Sequence, residues 1–139
     1  MIPQYWNKGK IYLSKKDPVL KSIIKKYNNE DLLINSNYFH CLVNSIIGQQ
    51  ISVKAANSIK KRFFSLKKNI NPKSIINIEP NLLAKVGLSR QKINYIFNIS
   101  DFFLNNKIFF KTINQYTESE IIEKLVNIKG VGIWTAEMF

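Results

Sequence analysis

Cysteine is all but absent. Cys41 stands alone, so no disulfide can close within the chain. A structural zinc or iron–sulfur site, which usually takes about four ligands, cannot be assembled from one thiol either. Long apolar runs are also missing: none approaches the roughly 18–20 residues that a membrane span needs. The opening Met1-Ile2-Pro3-Gln4-Tyr5-Trp6 lacks the basic-then-apolar pattern of a secretory signal. These absences predict a reducing, intracellular setting of the bacterial cytoplasmic type, with no membrane involvement. Acidic residues are scarce, with Asp+Glu 9 against Lys+Arg 21 and a net charge of +12. Arginine is scarcer still, because Arg62 and Arg90 are the only two.

What is present is a chain of 139 residues, 45% hydrophobic and 22% charged. That is enough to bury a core and is the size of one ordinary domain, taken as residues 1–139. A balance this basic points to an anionic partner, most commonly nucleic acid. A second explanation stays open: abundant Lys, Asn and Ile together are what an AT-rich coding bias produces.

Periodicity predicts an all-α chain of seven or eight helices with short connections. Asp17-Pro18 reads as an N-cap followed by Pro at the first helical position, with Leu20, Ile23, Ile24 and Tyr27 at helical spacing. Phe39, Leu42, Val43, Ile46 and Ile47 stripe a second helix that ends at Gly48. Ser52 caps a third, with Val53, Ala56, Ile59 and Phe63 on one face. Asn71-Pro72 and Pro80 open two short helices, the latter closed by Gly87. Ser89 caps a long helix bearing Ile93, Ile96, Phe97 and Leu104. Thr117-Glu118-Ser119-Glu120 is a capping box, and a last helix starts near Ile133. Ile108-Phe109-Phe110 is too short to compete as a strand. The final helix, on Ile133 to Phe139, ends apolar and uncapped, so the chain is expected to be the N-terminal part of a longer protein, its fold incomplete at the C-terminal end.

The segment Leu125-Val126-Asn127-Ile128-Lys129-Gly130-Val131-Gly132-Ile133-Trp134-Thr135-Ala136 lies between two predicted helices. Gly130 and Gly132 are spaced to allow positive φ and close approach of a ligand. The amides that follow open a helix, whose N-terminus attracts a phosphate, and Lys129 adds a charge beside it. An ordinary αα-turn with two glycines is the alternative reading of the same residues.

This segment resembles the helix–hairpin–helix, here residues 118–139, of the HhH-GPD superfamily of DNA glycosylases, in its alkyladenine branch. Leu42-Val43-Asn44-Ser45-Ile46-Ile47-Gly48-Gln49-Gln50-Ile51-Ser52-Val53-Lys54-Ala55-Ala56, Val86-Gly87-Leu88-Ser89-Arg90-Gln91-Lys92-Ile93 and Lys16-Asp17-Pro18-Val19-Leu20 resemble that branch in the same order and spacing. The resemblance implies a monofunctional base-excision glycosylase that flips alkylated purines such as 3-methyladenine out of the duplex and hydrolyses the N-glycosidic bond. It implies that Lys129, Gly130, Val131, Gly132 and Thr135, with Ser89, Arg90 and Lys92, meet the DNA backbone. Gln49 and Gln50, in one loop with Ser52, would fill the space that a flipped base vacates. Without the resemblance, Gln49 and Gln50 read rather as a polar helix end. Trp134 stands where lyase relatives carry a Schiff-base lysine, and an indole cannot do that chemistry. It resembles instead the aromatic wall of a base pocket, where an electron-rich ring attracts a cationic purine, with Met138 one turn on. Read alone, both are rather core of the hairpin helix.

His40 and Cys41 are neighbours on a helix and point apart, so they make neither a metal site nor a nucleophile pair. No cofactor or metal is expected, and the partner is double-stranded DNA containing damaged bases, bound by a monomer. The family's catalytic Asp has no match: Asp17, Asp31 and Asp101 all lie upstream of the hairpin, so that carboxylate is expected beyond Phe139. Two alternatives remain, a non-catalytic helix–hairpin–helix DNA-binding module and a glycosylase for another damaged base.

Overall fold

The structure, a computed structural model, describes residues 2–139. Among them the regular elements are helical, and none is long and apolar enough to cross a membrane. The chain divides into two compact units, Met1–Ser36 and Asn37–Phe139.

The first unit is a pair of helices, α1 (Trp6–Lys16) and α2 (Pro18–Lys26). Asp17 caps α2 as its sequence predicts, accepting from the amides of Val19 at 2.7 Å and Leu20 at 3.0 Å. The Asp31 carboxylate ties α1 down, accepting from the Trp6 indole at 2.9 Å and the Lys10 ammonium at 3.0 Å. Those two donors hold the carboxyl below its ordinary range, Lys10 contributing most. Helix α1 is absent from the sequence expectation for a physical reason: Ile11, Tyr12 and Leu13 are consecutive and stripe no single face.

In the second unit, α3 (Tyr38–Gly48) and α7 (Arg90–Asn105) pack together at the centre. Leu42, Val43, Ile46 and Ile47 of α3 are fully buried, as are Ile96 and Ile99 of α7. Around them lie α4 (Val53–Phe64), α5 (Pro72–Ile76), α6 (Pro80–Lys85) and α8 (Lys107–Lys111). The pair α9 (Glu118–Val126) and α10 (Ile133–Glu137) completes the unit. Phe63, Ile75, Leu83 and Leu125 carry α4, α5, α6 and α9 into the same core. Each such side chain contributes about 1.5–3 kcal/mol by leaving water.

The punctuation follows the sequence closely. Ser52, Asn71, Ser89 and Thr117 each accept a first-turn amide. Thr117 and Glu120 form the reciprocal capping box. Gly87 closes α6 at φ +103°. The expected count of seven or eight helices is too low: ten α-helices and a 3-10 turn at Ile113–Gln115 are present among the described residues. Beside α1, the addition is α8, where Phe110 stacks on Phe103 at 3.7 Å between ring centroids.

Candidate functional site

The loop between α3 and α4 carries an uncommon backbone. Gln49 ends α3 at φ −56°, ψ 130°, and Gln50 follows at φ +58°, the left-handed region. A non-glycine residue there costs of the order of 1–3 kcal/mol and persists only where its surroundings impose it. Gln50 and Ile51 are exposed. Ser52 is engaged as the cap of α4, accepting from the Ala55 amide at 3.3 Å.

Lys92 is not the free phosphate cation that its position at the head of α7 predicts. Its half-buried ammonium donates to the carbonyl oxygens of Ile47 at 2.9 Å and Gln49 at 2.7 Å, and burial lowers its pKa. It braces the loop from beneath. Ser89 and Arg90 do stay exposed. Arg90 and Lys129 line one open groove of about 620 Å³, together with Asn94 and Tyr95. Arg62, by contrast, donates from Nε to the Val86 carbonyl at 2.9 Å and serves the end of α6.

The turn between α9 and α10 is built against α7. Gly130 has φ +108°, and a Cβ there would collide with the ring of Tyr95. Asn98 of α7 donates to the Lys129 carbonyl at 3.2 Å. Gln49 Nε2 donates to the Gly130 carbonyl at 3.3 Å, joining the first loop to the second. Ile128 and Val131 are buried and pin the turn to the core.

Two details of the hairpin differ from expectation. Gly132 is extended, at φ −90° and ψ 173°, so positive φ is not why glycine stands there. A Cβ at Gly132 would meet no protein atom within 4 Å, so the face is open. The Val131 amide donates to the Ile128 carbonyl at 2.9 Å and closes the turn, while the Gly130 and Gly132 amides have no backbone acceptor among the described residues. The side chain of Thr135 is 5% exposed and packs inward, so its hydroxyl is not offered to a ligand.

Trp134 and Met138 are not hairpin core. They are 71% and 59% exposed, Trp134 in α10 and Met138 at its C-cap, where the Met138 amide donates to the Trp134 carbonyl at 3.1 Å. His40 is structural, with its Nε2 2.8 Å from the Ile70 carbonyl. Burial raises the pKa of Cys41, which disfavours the thiolate that nucleophilic chemistry needs.

The residues that sequence reasoning missed are Tyr95, Asn98 and the bracing role of Lys92. A glycine at a hairpin signals that something packs closely, but no sequence pattern says that the partner is a ring on another helix. One local signal exists: Lys92, Tyr95 and Asn98 recur at three-residue intervals and so share a helix face.

A family model described as HhH-GPD superfamily base excision DNA repair protein matches residues 43–133. The span takes in both loops and stops one residue short of Trp134. The chain is 35% identical over 148 residues to a DNA-3-methyladenine glycosylase of Saccharomyces cerevisiae, covering 92% of this chain and 49% of that protein. It therefore spans about half the length of that relative. The solved structure of a Schizosaccharomyces pombe 3-methyladenine DNA glycosylase in complex with abasic DNA superposes with a TM-score of 0.80 at 27% identity, covering 94% of this chain and 67% of that one. A DNA-3-methyladenine glycosidase from Bacillus halodurans gives a TM-score of 0.73 at 30% identity, covering 93% and 61%.

Proposed function

The chain belongs to the HhH-GPD superfamily of base excision DNA repair proteins, and from that premise we propose that it carries the DNA-binding and base-flipping part of a monofunctional glycosylase. Its substrates are alkylated purines such as 3-methyladenine in double-stranded DNA, and it works as a monomer in the cytoplasm without a cofactor. The observation that carries this reading is the bond from Gln49 to the Gly130 carbonyl. This bond joins the two segments, and it supports a reading in which one fills a vacated base position while the other grips a phosphate.

Each part has a physical task. The Gly130 and Gly132 amides and Lys129 take a backbone phosphate, and the open face at Gly132 lets the strand come close. Gln50 enters the stack and offsets part of the unstacking cost, which is a few kcal/mol. The exposed indole of Trp134 receives the flipped, positively charged purine by cation–π attraction. Hydrolysis then needs a carboxylate to stabilise the oxocarbenium-like sugar and orient water. We assign that role to an Asp outside these residues.

The test is release of 3-methyladenine from methylated DNA. The 139 residues alone should release essentially none, since loss of one such electrostatic group commonly costs about 10²–10³ in rate or more. The chain continued to the length of its relatives should release it, and borohydride should trap no covalent adduct, because Trp134 offers no amine. Robust release by the short chain would put the carboxylate within it. No release by the long one would leave a DNA-binding module.

A further inference from the structure

We propose that Lys92 is a positioning residue for base flipping: by gripping the carbonyls at the end of α3, it holds Gln50 in the conformation from which that side chain enters the duplex. The inference rests on the reading of Gln50 given above and adds to it the group that sets its backbone.

Three features of the molecule converge on Lys92. The first is the placement of a cation. Lys92 lies in the first turn of α7, which contains no acidic residue, and a helix N-terminus disfavours positive charge. The last turn of α3 has no basic residue of its own, and its carbonyls need donors. Lys92 spans the two, leaving the positive end of one helix to serve the negative end of another. Ser89 fixes the start of α7 by accepting from the Lys92 amide at 3.3 Å.

The second feature is geometric. A peptide unit is a rigid plane, so the direction of the Gln49 carbonyl sets ψ of Gln49 and φ of Gln50 together. The Lys92 ammonium fixes that carbonyl at 2.7 Å and fixes the turn before it through Ile47 at 2.9 Å. Gln50 is the only non-glycine residue with positive φ among the described residues. The one non-glycine residue with positive φ therefore directly follows one of the two carbonyls that Lys92 holds.

The third feature is the absence of a simpler role. The single ion pair among the described residues joins Lys10 to Asp31, so Lys92 neutralises no carboxylate. Burying part of an ammonium without an anion is unfavourable, and the lowered pKa records that. What the arrangement supplies is geometry. Gln49 extends it, since the residue whose carbonyl is gripped also donates its side chain to Gly130. The loop and the hairpin are thereby set at a fixed separation, as entering the stack and holding a phosphate at once requires.

The experiment has two arms. In the free chain, hydrogen exchange of the Gln49 amide, which donates to the Ile46 carbonyl at 3.3 Å between the two carbonyls that Lys92 holds, reads the end of α3 alone. Lys92→Met should speed it by about tenfold or more while the α7 core stays protected, as local opening does. Lys92→Arg, which keeps a donor at the same place, should restore much of the protection. In the second arm, a duplex with 2-aminopurine at the target position is added to saturation, so that affinity drops out and fluorescence reads flipping. Lys92→Met should lower the signal about as far as Gln50→Ala does, and the double variant should be no worse than either alone. That non-additivity separates positioning of Gln50 from general loosening of the fold. Unchanged exchange in Lys92→Met, or additive losses in the double variant, would overturn the proposal. If the unaltered chain gives no fluorescence rise, base flipping itself fails, and the exchange arm still decides whether Lys92 holds the loop.

Discussion

Gly130 and Gly132 are two residues apart and do different work. Gly130 has positive φ and lies on the Tyr95 ring, so Gly130→Ala combines backbone strain with a clash. It should lower the stability of the free chain by roughly 1–3 kcal/mol in thermal or urea unfolding. Gly132 is extended and open on the side where a Cβ would stand. Gly132→Ala should leave the melting temperature within a degree or two of the original, as a surface change does, yet weaken duplex binding. Gly132→Asp should weaken it further by adding a negative charge where we propose that a phosphate docks. Equal loss of stability in both alanine variants would mean that Gly132 is there for the fold. The spacing of the two glycines was legible in the sequence. The division of labour was not, because it depends on Tyr95, 35 positions before Gly130 in the chain.

Among the elements, α7 positions the candidate site. Lys92 holds the loop after α3, and Tyr95 and Asn98 hold the hairpin. An adjoining face is core, through Ile93, Ile96 and Ile99. The start of this helix was legible because Ser89 and the apolar spacing are local signals. The contacts that make it a platform join residues more than 30 positions apart, and no local pattern encodes them. Capping at α9 was legible for the same reason that Ser89 was. The Glu120 carboxylate accepts from the Thr117 amide at 2.8 Å, and that bond, with the one from the Thr117 hydroxyl, lowers its pKa. A carboxylate whose folded pKa is depressed adds stability above its unfolded value and loses it as pH falls through the folded one. Unfolding followed below about pH 5 should therefore show Glu120→Gln with a shallower acid limb than the original. Parallel limbs would mean that the box does not titrate with folding.

At the scale of the whole molecule, composition and site reinforce each other. The net charge of +12 alone was open to a coding-bias explanation. Arg90 and Lys129 facing one groove, beside unengaged hairpin amides, give part of that charge a place to act. Binding to undamaged duplex should fall linearly with salt on logarithmic axes, as counterion release requires. The all-α architecture was legible throughout, apart from α1 and α8, whose apolar residues follow no helical stripe. The measurement that bears most directly on the central claim compares two duplexes on the 139-residue chain, one intact and one with a stable abasic site. At an abasic position part of the unstacking cost is already met. If the loop fills a vacated base space while the hairpin grips the backbone, the abasic duplex should bind about tenfold tighter or more, and Gln50→Ala should erase most of that preference. Equal affinities for the two duplexes, or a preference that survives Gln50→Ala intact, would contradict the account.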